Sequence, residues 1–170
     1  MATKAEREEL AFIALEEVGV QEEGGNNCGP RVRMYQAATW LKPAAWPWCA
    51  AFVDWCVMMW LPLLPEASPE TKKGWRPQTA GAVGLERWAK SKGLKVLKRD
   101  AAVESGDIVV FDMSHCGIAV SDCAKGAPIK TVEGNTGSAG KRDSETGDGV
   151  WKKTRDRALV RSIIRLERAA

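Results

Sequence analysis

The spacing of apolar residues changes near residue 93, and that change limits the fold more than any other feature of the chain. Before it, apolar side chains recur at helical intervals. Leu10, Ile13, Ala14 and Val18 form one stripe along residues 4–18. Pro30 suits the first turn of a second helix that carries Val32, Tyr35 and Ala38 on one face. Cys49 to Trp60 is apolar nearly all round, which predicts a central third helix. Residues 79–91 fit a fourth, weaker one. Afterwards come short β-rich runs at 94–97, 108–111, 116–120, 128–133, 150–153 and 159–166, separated by turn residues. Helices first and strands afterwards predict an α+β fold, with N-terminal helices packed on a C-terminal antiparallel β-sheet in one domain spanning 1–170. Residues 61–78 hold four prolines and no periodic pattern, so they read as a long ordered loop. Gly134 to Gly149 reads as a second, polar loop.

Composition removes several classes. A chain of 170 residues, 45% hydrophobic and 28% charged, can bury a core without staples and is not a disordered segment. A net charge of +3 is compatible with an anionic polymer as substrate but predicts no nucleic-acid partner. Asp54 interrupts the longest apolar stretch, which ends in Leu61–Pro65, so no membrane insertion is expected. The opening MATKAEREE lacks the apolar region of a signal peptide. Synthesis in a cytosol, without export by the usual route, is the expectation. Five cysteines is an odd number, and Cys49 and Cys56 on one helix lie roughly 10 Å apart at about 1.5 Å per residue, beyond disulfide reach. No close cysteine pair suggests zinc, so no metal and no cofactor are expected. Cys28, Cys56, Cys116 and Cys123 read as structural thiols.

The chain has one histidine, His115, at the start of a predicted strand. Alternation puts Cys116, Ile118 and Val120 on the core face and His115, Gly117 and Ala119 on the other. Two small residues beside the histidine leave room for a ligand or a facing side chain. A plain hairpin centred on Ala124 pairs 118 with 130 and His115 with Glu133, with Cβ atoms about 5 Å apart. The carboxylate then accepts the Nδ1 proton and favours the imidazolium. Asn135 shares the parity of Glu133. Pro47 breaks any preceding helix, so Cys49 falls at the third helix's N-terminus. Free N–H groups and the helix dipole lower a thiol pKa there, and a nearby imidazolium lowers it further.

At these residues the sequence resembles a known family. PWCAAFV, GDIVVF, SHCGIAV and VEGN, in that order, are similar to the CHAP family of cysteine, histidine-dependent amidohydrolases/peptidases. These are papain-like peptidoglycan hydrolases of phages and bacteria. The resemblance covers roughly residues 8–136 and implies a papain-like fold. It implies Cys49 as nucleophile, His115 as base, and Glu133 and Asn135 as supporting residues. Some members bind calcium through acidic residues just before the nucleophile. Leu41 to Trp48 contains no acid, so that site is not carried over. No separate wall-binding module is expected within 170 residues.

The expected reaction is cleavage of a peptidoglycan amide, by an amidase or endopeptidase route, with the Cys49 region donating part of an oxyanion hole. Eight tryptophans stand against one tyrosine, and five of the eight cluster around Cys49. Trp46 and Trp48 are the candidates for a glycan-stacking platform, and Asn27 and Tyr35 for a second oxyanion donor. A phage-type endolysin, acting on the wall after release, is the first biological reading. The alternatives are an injected antibacterial amidase toxin with an immunity partner, a cytosolic thiol hydrolase of small amides, and a wall-binding module without catalysis.

Overall fold

A computed structural model describes residues 2–66, 68–72, 74–138 and 147–168. Among these residues, helices α1 (Lys4–Glu16), α2 (Pro30–Gln36), α3 (Cys49–Trp60) and α4 (Ala82–Ser91) precede strands β1 (Leu94–Leu97), β2 (Ile108–Phe111), β3 (His115–Ala119), β4 (Ile129–Thr136), β5 (Gly149–Arg155) and β6 (Val160–Arg168). The strands form one antiparallel sheet in the order β1-β6-β2-β3-β4-β5. The α+β class and the order of elements match the expectation. The 61–78 stretch contains two short 3-10 turns, Leu61–Leu63 and Pro69–Thr71. The polar loop after Gly134 is shorter than expected, because β4 runs on to Thr136 and β5 starts at Gly149. Residues 139–146 of that loop lie outside the described residues.

Local chemistry sets the helix starts. Thr3 caps α1 by accepting from the Glu6 N–H at 3.2 Å, while the Glu6 carboxylate accepts from the Thr3 N–H at 2.7 Å. Proline opens α2 at the position where a missing N–H costs nothing. α3 begins directly after Pro47-Trp48, and ten of its residues, Asp54 among them, are buried. It packs against β3 and β4 with α1 and α2 around it, so the main core lies between the helices and one face of the sheet. Cys116, Ile118, Val132 and Ile164 supply that face. The other face carries a smaller cluster around Val109, Phe111, Ile129 and Ile163.

The β3–β4 register differs from the expected one by two residues. Ile118 pairs with Val132 and Ala119 with Thr131. The tight turn spans Ala124–Ala127, and the Val120 N–H donates to the Lys130 carbonyl at 3.0 Å, so the hairpin centre sits one residue later than Ala124. Moving the centre by one residue moves the pairing by two. Parity survives, and Glu133 stays on the His115 face, opposite Gly117 rather than opposite the histidine.

Candidate active site

Cys49 is the first residue of α3, in the turn whose backbone N–H groups have no intrahelical acceptor. Gly134 on β4 brings this turn close to the sheet. A Cβ there would lie 2.6 Å from Cβ of Phe52 and 2.7 Å from the Trp48 ring, so only glycine lets helix and strand approach. The Cys49 sulfur lies 3.9 Å from the Ser114 carbonyl, just before β3 begins. The thiol and the His115 imidazole therefore meet at the end of the sheet.

His115 is buried and stacks on Phe111 with ring centroids 5.9 Å apart. Its Nε2 is 2.8 Å from Glu133 Oε2. Nδ1 is buried with no hydrogen-bond partner of its own, and it is the nitrogen left for the thiol. The carboxylate thus takes Nε2, where the hairpin argument assigned it Nδ1. Glu133 reaches the imidazole diagonally across the strand pair. Gly117 makes the path, since a Cβ there would lie 2.5 Å from Glu133 Cγ.

Glu133 is completely buried and well supplied with donors. The Thr131 hydroxyl donates to Oε1 at 2.6 Å, and Arg155 Nε donates to Oε1 at 2.9 Å and Oε2 at 3.2 Å. Arg155 Nη2 also donates to Oε2. The guanidinium sits 5.6 Å above the Phe111 ring. Arg155 and Thr131 were not among the residues expected from the sequence. Glu133 pairs with Trp151, which puts residues 153 and 155 on the same face of β5, but that pairing is set by the folded sheet and by no local feature of the sequence.

These neighbours set the charges. Burial opposes ionisation of Glu133, but Arg155 and His115 hold its pKa down to about 2. Burial likewise lowers His115, but the Cys49 thiolate and Glu133 raise it to about 9. The Cys116 thiol, then His115 and the Ala50 N–H, pull Cys49 well below its ordinary range against the cost of burial. Burial first, and then the Cys49 charge, pushes Cys116 up. The Cys49 and His115 shifts both run in the direction that favours a thiolate beside an imidazolium.

Asn135 is buried, at φ 54, in the position facing His115 when the β3–β4 register is extended. Cys49 and half-buried Trp46 line a cleft of about 610 Å³. The Trp46 ring N–H is tied to the Lys42 carbonyl at 2.8 Å. The other three expected binding residues do not reach this cleft. Trp48 is fully buried, stacked on Tyr35 at 5.4 Å, and its ring N–H donates to Glu22 at 2.8 Å. Tyr35 is fully buried and donates its hydroxyl to Glu17. Asn27 is buried in a loop fixed through its backbone N–H, which donates to Glu22 at 2.8 Å. Glu17 and Glu22 are buried or half-buried acceptors, and satisfying them turns Tyr35 and Trp48 inward.

All five cysteines are free. Among the described residues, no group of three His, Cys, Asp or Glu side chains is placed to hold a metal ion. No helix among them is long and apolar enough to cross a membrane.

Comparison of the chain with protein-family models, with curated proteins and with solved structures found no match.

Proposed function

We propose that the protein is a papain-like cysteine amidohydrolase that cleaves an amide bond in peptidoglycan. The observation that carries this reading is the buried Cys49–His115–Glu133 series, which ends on a thiol lining an open cleft. A nucleophile on the first turn of a central helix, facing a base on the adjoining sheet, is the arrangement that the CHAP resemblance implies. The substrate class comes from that resemblance.

Each step has a group to perform it. The Cys49 thiolate attacks the amide carbonyl, forming a C–S bond, and the carbonyl oxygen takes the negative charge. Backbone N–H groups of the α3 first turn stabilise that oxyanion. The tetrahedral intermediate expels the amine as His115 Nδ1 gives it a proton, leaving a thioester. Neutral His115 then takes a proton from water, and the hydroxide attacks the thioester. The acid leaves and Cys49 returns to thiolate beside a protonated His115. Glu133 holds the ring by Nε2 throughout, and Arg155 and Thr131 hold Glu133.

The test is digestion of purified sacculi with wild type and with Cys49→Ala, followed by mass spectrometry of the soluble fragments. New fragments with wild type alone support the hydrolase, and their masses identify the amide. No fragments from folded wild type, or equal release by folded Cys49→Ala, would refute it.

A further inference from the structure

The cleft beside Cys49 is walled by the connector that contains Leu41 and Trp46, the turn at Met113, and the start of α4. Its lining is mostly apolar, and apart from the nucleophile Cys49 its one charged side chain among the described residues is Arg87. Val83, Gly84 and Arg87 all line it, a spacing that puts them on one face of α4. No acidic residue is among the described residues that line it.

Among the described residues, Arg87 has no polar partner. It is exposed and makes no hydrogen bond or ion pair with any described residue. Its sequence neighbour Glu86 points elsewhere: that carboxylate is taken by Lys90, by Arg161 at 3.0 Å and by the Ser162 hydroxyl at 3.0 Å. The start of α4 is held in place, since Thr79 Oγ1 accepts from the Gly81 N–H at 3.2 Å and donates to its carbonyl at 3.1 Å. The helix therefore presents a guanidinium with no carboxylate partner among the described residues to the cavity that contains the nucleophile. Apolar walls strengthen the field of such a charge, and a guanidinium fork matches a carboxylate in shape.

We infer that Arg87 binds a free carboxylate of the substrate, so the cleft selects amides of carboxylate-bearing peptides. A cleft of about 610 Å³ holds a ligand of small-molecule size. The carboxylate therefore belongs to a residue at or next to the scissile amide, not to a distant part of the polymer. This assignment rests on the hydrolase reading for its reaction, but not for its binding.

The experiment uses matched soluble peptides, Ala-γ-Glu-Lys with the glutamyl α-carboxyl either free or amidated. Affinity is measured by calorimetry on Cys49→Ala and on Cys49→Ala combined with Arg87→Gln or Arg87→Lys. The free acid is expected to bind about ten- to a hundredfold more tightly than the amide. Arg87→Gln abolishes that ratio and Arg87→Lys retains part of it. In parallel, the acid-to-amide ratio of kcat/KM on the wild type and Arg87→Gln follows the same order. Equal binding of acid and amide, binding of neither, or a ratio that survives Arg87→Gln would overturn the assignment. Discrimination in binding without turnover by the wild type would leave Arg87 assigned and would count against the hydrolase alone.

Discussion

Beside Trp48, the buried carboxylate of Glu17 binds Arg31 and the Tyr35 hydroxyl. Beside Cys49, the buried carboxylate of Glu133 binds Arg155, the Thr131 hydroxyl and the His115 imidazole. Both clusters satisfy a buried acid with an arginine and a ring, and both pack against the first turns of α3. They differ in the third member. Burial and then Glu17 push the Tyr35 phenol up, so its proton stays in place, and its ring is sealed between Trp48, Phe52 and Trp55. His115 gains and loses a proton near pH 9 and adjoins a thiol that opens on a cleft. A buried Glu–Arg pair therefore confers structure. Chemistry needs a titratable ring and a nucleophile at its other end.

Removing the reactive end gives the largest expected effect. Cys49→Ala and His115→Ala should each lower turnover about 10⁴- to 10⁶-fold with the circular dichroism spectrum unchanged. Tyr35→Phe, the matching change in the other cluster, should leave turnover within a fewfold of wild type. Next come the two arginines. Arg155→Leu strands a completely buried carboxylate and should cost about 3–5 kcal/mol in denaturant unfolding, with a large loss of kcat. Arg31 is one-third exposed, so Arg31→Leu should cost only about 1–2 kcal/mol and leave the pH–rate profile in place.

The tryptophans sharpen the same contrast. Trp48→Ala opens the core and should cost about 3–5 kcal/mol by chemical denaturation. Trp46→Ala should cost less than that and raise KM, because Trp46 lines the cleft. The smallest effect is in the pH dependence. Glu133 is depressed from 4.5 to about 2, so its contribution to stability is complete above pH 4.5 and is lost as pH falls through 2. Acid unfolding followed by fluorescence should be shallower for Glu133→Gln over that window. On the alkaline side, kcat should fall as His115 loses its proton near pH 9, and Glu133→Gln should move that limb to lower pH. Since the thiol and imidazole titrate together, this limb belongs to the pair.

How much of this was legible in the sequence follows from which signals are local. Pro47 and an apolar run placed α3 at Cys49–Trp60, and strand alternation put His115 and Glu133 on one face. The register error changed which residues are directly opposite without changing the face, so the His115–Glu133 pair survived it. Gly117, noted only as small, is what lets the glutamate cross. Arg155 was not legible because its partner lies across a long loop, and no local signal fixes the register of β4 with β5. Proximity to Cys49 in sequence misplaced Trp48, and Tyr35, read as a second oxyanion donor, is instead sealed in the core. Consecutive residues at a helix start point in different directions, and Glu17 and Glu22, far upstream, decide which ring turns inward.

The most direct test of the account is the pH dependence of Cys49 alkylation by iodoacetamide, followed peptide by peptide with mass spectrometry. Cys56 and Cys116, both buried and both raised, serve as internal references. The expected result is a Cys49 midpoint well below the ordinary thiol range of about 8.5, which His115→Ala moves upward. A wild-type midpoint already in that range, unchanged by His115→Ala, would contradict the thiolate–imidazolium pair on which the proposed chemistry depends.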